Sequence, residues 1–394
     1  MRVLVLSHTY IVNLNCGKLR ALAHLDPNLE VAVGVPRRWS VGNPQYRLIE
    51  SQAWDDGNFR LIPLGNFSQN NQGLLGFGPD LVTLLREFQP QVIQVEEGAK
   101  SLAYAQTITL NRLLDLKAKN VLFAGWPSAQ DNFQSPVSWL ESYNLRHTHG
   151  LVAGRPKGVE ALCQRGYRGP CRIMPQVGVD ETCFFPQAQP DLARQIPIAE
   201  GTFVVGFVGQ FIAEKGVLTL CKALATLRDH PQPWVWLLLG RGDLKDTLPH
   251  HLQAAGIADR VRWVESVPHR EVSRYLNLMD ALVLPTHLTH NGPSCPTTDW
   301  PEPSIHLLLS AMACAVPIIG SDGGTAPHVV EEAGLSFPAA NSAALAARLR
   351  LLLDNPSQRQ TLAERAYGQA MTHYTNTALA QQLLDFYRTL GVEG

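Results

Sequence analysis

The sequence predicts an α/β protein made of two Rossmann-like, doubly wound domains that face each other across a cleft. Two observations support this fold class. Short apolar runs of strand length alternate with stretches of helical spacing, which is typical of βαβ units and a parallel sheet. The alternation stops at 186–201, a stretch with three prolines and little apolar periodicity, and then starts again. We therefore expect a hinge at 186–201 and ligands bound where the strands of both domains end.

The first half begins with the apolar run 3–6, which predicts a buried strand followed by a polar loop at 7–15. Further strands are predicted at 31–35, 92–95, 121–123, 151–152 and 172–174. Helices are predicted at 17–25, 80–88, 102–116 and 157–165, where apolar residues recur at helical spacing. The first domain is expected to span 1–185.

The second half repeats this pattern over 202–370, the expected second domain. Strands are predicted at 203–208, 235–239, 261–264, 281–284 and 316–319, and helices at 217–227, 248–255, 272–278, 305–313 and 345–353. The loop 286–303 is rich in Pro, Thr and His, and loops of that length are usually functional. A final amphipathic helix at 378–390, within 371–394, is expected to pack back toward the first domain.

The composition excludes several classes of protein. Of the 394 residues, 45% are hydrophobic and 17% charged, which excludes a disordered, collagen-like or coiled-coil chain. The formal net charge is -1 without a basic run, which argues against nucleic-acid binding and against membrane adhesion by charge alone. No apolar stretch is long enough for a spanning helix.

The N-terminus and the cysteines predict the compartment. The opening MRVLVLSHTY is too short for the core of a signal peptide, and we interpret it as the first strand. The seven cysteines are scattered and form no CxxC motif. An odd, scattered set is typical of buried thiols in a reducing compartment, so the expected location is the cytosol.

The segment GFVGQFIAEKG, at 206–216, opens the second domain. A strand ends at Val208, Gly209 permits a tight turn, and Lys215 precedes the next predicted helix. The positive end of a helix and a lysine beside it together favour a phosphate group. An ordinary strand–turn–helix with a surface lysine is the alternative. The segment is not a GxGxxG motif, so a nicotinamide fingerprint is absent here.

A second segment, 284–330, contains Glu302 just before a predicted helix and a Gly323–Gly324 turn after the next strand. A lone glutamate in a first helical turn is often only a surface charge favoured by the helix dipole. Here the long loop, the helix start and the glycine turn are expected at one edge of the sheet.

The order and spacing of GFVGQFIAEKG, LLLGRGD (237–243), LNLMDALVLPT (276–286), WPEPSIHLLLSAMA (300–313) and VPIIGSDGG (316–324) resemble glycosyltransferase family 4. The first half agrees through SHTYIVNLNCGKLRAL (7–22), VIQVEEGAKSLA (92–103) and RGYRGPCRIMPQVGVDETCFFP (165–186). Members are retaining, nucleotide-sugar-dependent hexosyltransferases with the GT-B fold. The resemblance covers nearly the whole chain, and it implies donor binding by the second domain and acceptor binding by the first.

For the donor, the resemblance implies that Lys215 neutralises the diphosphate and that Glu302 lies near the sugar. These two are the implied catalytic residues. The implied donor-binding set is Gly209, Gln210, Lys215, Gly240, Arg241, Ser304, Ile305, His306 and Ser310.

Three positions depart from the family pattern. Gln210 stands where the family has an arginine, and Ser310 replaces the second glutamate of its E-x7-E pair. His328 stands where the family's GG-P-E segment has a glutamate. A serine offers a neutral hydrogen bond where a glutamate would offer a charge-assisted one. His306, His328 and Arg241 are candidates to compensate, or they are ordinary surface or core residues.

On the acceptor side, Glu96 and Glu97 follow a strand, and adjacent residues of an extended chain point in opposite directions. Only one of them is therefore expected to face a ligand. His8 and Gly17 follow the first strand, in the loop that the family uses to approach the donor phosphate and the acceptor. Trp126 stands where many relatives have a histidine, and it would either stack on a sugar ring or pack against its own domain.

The resemblance implies a nucleotide-sugar donor, a saccharide or lipid-linked acceptor and a role in cell-envelope or exopolysaccharide synthesis. A lipid-linked acceptor would bring the protein to the cytoplasmic membrane as a peripheral protein. No cofactor and no metal are expected, since the sequence has no D-x-D motif. His287, His290 and Cys295 lack the fixed spacing of metal ligands. The alternatives are a non-catalytic GT-B paralogue and, less favoured, a sugar-nucleotide epimerase, a phosphorylase or a solute-binding protein.

Overall fold

The chain divides into two compact units, described from a computed structural model over residues 1–41, 47–125, 138–287, 303–322, 327–330 and 333–392. The N-terminal unit comprises Met1–Gly178 and the C-terminal residues from Asn376 onward. The second unit comprises the described residues between Val179 and Thr375.

The strands of the N-terminal unit are β1 (Arg2–Leu6), β2 (Glu30–Pro36), β3 (Arg38–Val41), β4 (Arg47–Glu50), β5 (Trp54–Asp56), β6 (Phe59–Leu64), β7 (Val92–Val95), β8 (Lys119–Ala124), β9 (Gly150–Ala153) and β10 (Cys171–Ile173). Its first helices are α1 (Gly17–His24), α2 (Asp80–Phe88), α3 (Leu102–Leu113), α4 (Ser138–Arg146) and α5 (Pro156–Gln164). Among the described residues the main sheet has the order β10-β9-β8-β7-β1-β2-β6-β5. It is parallel except for β5, which pairs antiparallel with β6, and β3 and β4 form a separate hairpin.

The strands of the second unit are β11 (Phe203–Val208), β12 (Trp234–Leu239), β13 (Val261–Val264), β14 (Ala281–Leu284), β15 (Ile318–Ser321) and β16 (Gly334–Phe337). Its helices are α6 (Pro190–Gln195), α7 (Val217–Ala225), α8 (Leu248–Ala254), α9 (Val272–Leu276), α10 (Pro303–Ala313), α11 (Pro327–Val330), α12 (Ser342–Asp354) and α13 (Pro356–Gln369). In the described residues the sheet has the order β13-β12-β11-β14-β15-β16, and all its strands pair in parallel.

The central strands of each sheet are buried on both faces, which explains why they are continuous apolar runs. In β1, Val3 and Val5 belong to the core on one face, whereas Leu4 and Leu6 belong to the core on the other. Alternation along the strand therefore fills two cores at once. The predicted doubly wound α/β class is confirmed.

The last helix, α14 (Asn376–Thr389), belongs to the N-terminal unit. Its Leu379, Leu383 and Tyr387 are buried in the same core as Val3 and Leu19. The helix follows the second unit in sequence, so the chain passes between the units at both Gly178 and Thr375.

The predicted hinge, 186–201, lies within the second unit, and the division of the chain falls before it, at Gly178. Pro190 begins α6 at its first turn, where a missing N–H costs nothing. Leu192 of this helix is buried in the core of the second unit. One of the three prolines that predict a linker, Pro190, therefore begins a helix instead.

Several elements are absent from the sequence prediction, and one strand is shifted relative to it. The strands β3 to β6 lie between 38 and 64, and β5 is exposed at the sheet edge, so it lacks the apolar run of a buried strand. Strand β15 begins at Ile318, two residues after the predicted start at 316.

Over the part of the chain that the structure describes, no helix has the length and apolarity needed to cross a bilayer.

Candidate functional site

Both sheets contain a topological switch point, the place where parallel α/β sheets bind ligands. In the N-terminal unit β1 lies between β2 and β7, so the crevice forms beyond the carboxyl ends of β1 and β7. In the second unit β11 lies between β12 and β14, which places the equivalent crevice beyond β11 and β14.

At the first site, His8 follows β1 and Glu97 follows β7. The backbone N–H of His8 donates to Glu97 Oε1 over 2.6 Å, and His8 Nδ1 lies 2.8 Å from Glu97 Oε2. Both residues are buried, and the His8 ring stands 4.9 Å from the ring of Trp39. An ionised carboxylate only accepts hydrogen bonds, so Nδ1 carries the hydrogen and the ring has one fixed orientation.

Glu96 points to different partners than Glu97. Its Oε2 accepts hydrogen bonds from Tyr10 (2.8 Å) and from Gln176 Nε2 (2.7 Å). Its Oε1 accepts one from Gln94 Nε2 over 2.5 Å. Burial and the adjacent carboxylate raise the pKa of the Tyr10 phenol well above its usual range, so Tyr10 remains a donor. Both glutamates are thus buried and engaged with the protein's own groups.

The hydrogen bonds around Glu96 extend to α14. The Tyr387 hydroxyl donates to Gln94 Oε1 over 2.9 Å, and Gln94 in turn holds Glu96. Burial raises the pKa of Tyr387 well above its usual range, which keeps this phenol protonated as well. The C-terminal helix therefore contributes a side chain to the support of Glu96.

Lys18, in the first turn of α1, is fully buried within the N-terminal unit. Its Nζ lies 5.7 Å from the centre of the Phe123 ring and has no hydrogen-bond partner among the described residues. Loss of hydration lowers the pKa of this ammonium, although the Glu96 carboxylate acts in the opposite direction.

Gly17 is a packing position in this unit. A Cβ there would lie 2.4 Å from Nδ2 of Asn376, the first residue of α14. The glycine lets α1 and α14 approach each other closely. Trp126, the other predicted acceptor-side residue, lies outside the described residues.

At the second site, the ends of β11 and β12 touch through their backbones. A Cβ on Gly240 would lie 1.9 Å from the carbonyl oxygen of Gly209, so this contact requires glycine. The N–H of Gly209 donates to the Leu239 carbonyl, and the N–H of Phe211 donates to the Arg241 carbonyl, each over 3.0 Å. Gln210 therefore lies on a turn held by backbone bonds on both sides, and its side chain is exposed, as is that of Arg241.

Lys215 ends a short 3₁₀ helix, Ala213–Lys215, directly before α7. Gly216 joins the two in the left-handed conformation, with φ +71°, and no described side chain caps α7. The first N–H groups of α7 and the half-buried lysine are therefore adjacent in the chain. This arrangement can hold an anion.

The end of β14 packs against this turn. The His287 N–H donates to the Glu214 carbonyl over 2.7 Å, and His287 Nε2 lies 3.0 Å from the Thr219 hydroxyl oxygen. Loss of hydration lowers the pKa of His287, which favours the neutral ring. The Ser321 hydroxyl donates to the Thr286 carbonyl over 2.6 Å, so β15 fixes the same strand end from its other side.

Helix α10 contains four of the predicted donor-binding residues. Ile305 packs against the core of the second unit, and His306 is half-buried. Ser310 is buried at 8% exposure. Ser304 lies in the first turn of α10, but its side chain is outside the described residues.

Other predicted residues also lie outside the described part of the chain. These are Glu302, Gly323, Gly324, His290, Cys295 and the side chain of His328. Within the described ranges, no three His, Cys, Asp or Glu side chains form a group that could hold a metal ion.

Sequence reasoning missed the supporting residues of both sites. Gln94, Gln176, Tyr10 and Tyr387 surround Glu96 without any shared motif. Lys18 could have been found, because it lies four residues before Leu22 and so shares the apolar face of α1. The sequence suggests His287 only as a candidate metal ligand, whereas the structure places it against the Lys215 turn.

Known proteins resemble this chain in sequence and in fold. Residues 188–369 match the family model of glycosyl transferases group 1, and this range includes Lys215, His287 and α10. The alpha-D-kanosaminyltransferase of Streptomyces kanamyceticus is 25% identical over 191 residues, 48% of this chain and 46% of that protein. The chain spans about half the length of the curated relatives it matches.

Solved structures match over almost the whole chain. Sucrose-phosphate synthase from Thermosynechococcus elongatus has a TM-score of 0.68 and 19% identity over 99% of each chain. Anabaena HepE in complex with UDP also has a TM-score of 0.68, with 16% identity over 99% of this chain and 100% of that one. These likenesses establish a GT-B fold with two Rossmann-like domains, and the second unit carries the group 1 domain match.

Proposed function

We propose that this protein is a glycosyltransferase that moves a hexosyl group from a nucleotide sugar to a saccharide or lipid-linked acceptor with retention of anomeric configuration. The observation that carries the proposal is the Lys215 turn. It lies at the switch point of the second unit, inside the range that matches glycosyl transferases group 1. Retention, a place in glycosyltransferase family 4 and a role in cell-envelope or exopolysaccharide synthesis rest on the sequence resemblance.

The chemistry asks for stabilisation of a leaving diphosphate. The bond between the anomeric carbon and the donor phosphate oxygen breaks through an oxocarbenium-like state. The acceptor hydroxyl oxygen bonds to that carbon, and the proton of the hydroxyl passes to the departing phosphate oxygen. Negative charge grows on the departing diphosphate. The Lys215 ammonium and the N–H groups at the start of α7 would stabilise that charge without reorganisation. Glu302 would lie near the sugar, as in the resembling family.

The acceptor would bind at the switch point of the N-terminal unit. His8 is held there in one orientation by Glu97, and Glu96 is held by Tyr10, Gln94 and Gln176. Fixed polar groups at the carboxyl ends of strands suit a ligand rich in hydroxyl groups. The cytosolic location and a peripheral contact with the membrane stay predictions.

The donor nucleotide is the first question for an experiment. HepE binds UDP, so UDP is the first probe, followed by UDP-, GDP- and ADP-sugars. Titration calorimetry of the full chain is expected to detect binding of one of these nucleotides. The matching sugar nucleotide is then expected to donate its sugar to at least one member of a panel of saccharide acceptors. Lys215→Ala is expected to abolish transfer and leave the fold intact.

The matched control is Lys222→Ala, which removes an exposed lysine from the same helix. The control should bind and transfer as the unchanged protein does. Unchanged turnover in Lys215→Ala would remove the proposed diphosphate site.

A non-catalytic paralogue that binds a sugar nucleotide or a partner enzyme is the second candidate. Gln210 supplies no charge where the family has an arginine, and Ser310 is a buried neutral residue where the family has a glutamate. Losing a charge-assisted contact typically costs about 1.5–3 kcal/mol of binding free energy. Nucleotide binding without transfer or hydrolysis across the full donor and acceptor panels would favour this candidate.

A further inference from the structure

One residue at the end of β14 is bonded to both sides of the Lys215 turn. The backbone N–H of His287 donates to the carbonyl of Glu214, directly before Lys215. The His287 ring lies 3.0 Å, through Nε2, from the hydroxyl oxygen of Thr219 in the first turn of α7. His287 thus spans the turn from the 3₁₀ helix to α7.

The same strand end also contacts the middle of the turn. A Cβ on Gly216 would lie 1.9 Å from the carbonyl oxygen of Pro285 and 3.1 Å from Cε1 of His287. The turn therefore lies directly against β14. Its position depends on a backbone contact at Gly216 and on the two hydrogen bonds of His287.

We propose that His287 is a positioning residue for the donor diphosphate, acting through Lys215 and the first turn of α7. This inference rests on the proposed function, because it assumes that the turn binds a diphosphate. A lysine on a mobile turn would have to be ordered when the ligand binds, and that ordering opposes affinity. A turn that is already held by His287 avoids most of that cost.

The role of the ring can be separated from that of the backbone. Substitution of the side chain leaves the bond between the residue 287 N–H and Glu214 available. His287→Leu removes the ring contact with Thr219, and Thr219→Val removes the same contact from the other partner. His287→Gln retains a hydrogen-bonding group that can reach Thr219.

The experiment is calorimetric titration of the full chain with UDP and with inorganic pyrophosphate, which offers a diphosphate without a nucleoside. His287→Leu and Thr219→Val are each expected to weaken binding of both probes by about threefold to tenfold, the range for one lost hydrogen bond. The double variant should lose no more than either single one, because both remove the same contact. His287→Gln should restore most of the affinity.

Thr226→Val is the matched control. Thr226 donates to the Ala223 carbonyl at the other end of α7, so its loss weakens the same helix without touching the turn. The thermal unfolding midpoint of Thr226→Val should fall about as far as that of Thr219→Val, while its affinity for UDP and for pyrophosphate stays unchanged.

The outcomes separate the two proposals. If neither probe binds the unchanged protein, or if binding does not depend on Lys215, the proposed diphosphate site and this inference both fail. If binding depends on Lys215 but the His287→Leu and Thr219→Val variants bind as the unchanged protein does, only the positioning role of His287 is overturned. If Thr226→Val loses as much affinity as His287→Leu and Thr219→Val, the loss comes from general destabilisation of α7, and the positioning role of His287 is likewise overturned.

Discussion

His8 and Glu97 connect the ends of two neighbouring parallel strands through a buried hydrogen-bonded pair. His8 Nδ1 lies 2.8 Å from Glu97 Oε2, and the His8 N–H lies 2.6 Å from Oε1. The two residues are 89 positions apart in the chain. Because the strands β1 and β7 are adjacent, the carboxylate can meet both the backbone and the ring of the same histidine.

Glu97→Gln should destabilise the protein by about 1.5–3 kcal/mol, the usual cost of losing hydrogen bonds to a charged group. The amide keeps the shape of the side chain but not its charge, so the contact with the His8 ring weakens. Urea denaturation followed by circular dichroism measures the change in the free energy of unfolding. Glu87→Gln, at an exposed position of α2, is the control. Equal stability of the two variants would contradict the importance of the pair.

Lys18→Met tests the buried ammonium. Burial places the pKa of Lys18 in the folded state below its unfolded value. Between these two pKa values the unfolded chain binds more protons, so the Lys18 contribution to stability rises with pH. Replacing a buried charge by an apolar side chain is often neutral or stabilising by about 1–4 kcal/mol.

We therefore expect the Met variant to be at least as stable as the unchanged protein near neutral pH. Its advantage should shrink as the pH rises from neutral toward the usual lysine pKa of about 10.4. Urea denaturation over a series of pH values between these limits gives the comparison. A large loss of stability in the variant near neutral pH would instead mean that the ammonium is needed beside Glu96.

The sequence predicts the Lys215 turn well because all its determinants are contiguous. A strand, a glycine, a lysine and a second glycine occur within 206–216, and the structure places a strand end, a 3₁₀ helix and a left-handed glycine there. The alternation of apolar runs likewise predicts most strands and helices, since each run needs only its own residues to be recognised.

The side chains that contact the predicted residues could not be predicted from the sequence in the same way. That Glu97 meets His8 depends on β7 lying beside β1, and apolar runs do not determine the order of strands in a sheet. The contact of His287 with Thr219 spans 68 residues and depends on β14 lying beside β11. For Lys18, the helical face can be predicted, but not whether a long side chain stays inside or reaches water.

Gly216→Ala should destabilise the second unit and abolish diphosphate binding. Alanine is strained at φ +71°, at a typical cost of about 1–3 kcal/mol, and its Cβ would also collide with the Pro285 carbonyl oxygen at 1.9 Å. Thermal unfolding and UDP calorimetry measure the two effects.

Gly368→Ala is the control for this substitution. Gly368 lies within α13 with open space around the position of a Cβ. Alanine there should stabilise the helix by about 0.5–1 kcal/mol and leave UDP binding unchanged. A Gly216→Ala variant that remains as stable and as active as the unchanged protein would be incompatible with the packing of the turn against β14.

Diphosphate binding is expected to need no metal ion, since the sequence has no D-x-D motif and Lys215 offers the positive charge. Treatment of the full chain with EDTA should change UDP affinity by less than about twofold, or roughly 0.4 kcal/mol. Loss of affinity that Mg²⁺ or Mn²⁺ restores would show that a metal contributes to the site.

Gln210→Arg is expected to strengthen diphosphate binding. The side chain of residue 210 is exposed, and the flanking Gly209 and Phe211 are fixed by backbone bonds, so the larger residue should fit without loss of stability. A guanidinium near Lys215 would add a charge-assisted contact with the diphosphate. Such a contact is typically stronger than a neutral one, and the difference should raise the affinity for UDP about tenfold.

Gln253→Arg adds the same charge at an exposed position of α8 and controls for long-range attraction. If UDP affinity rises equally in both variants, the gain comes from net charge, and Gln210 does not lie at the diphosphate site. If UDP affinity rises only in Gln210→Arg, the glutamine at position 210 accounts for part of the weaker donor binding that the departures from the family pattern predict.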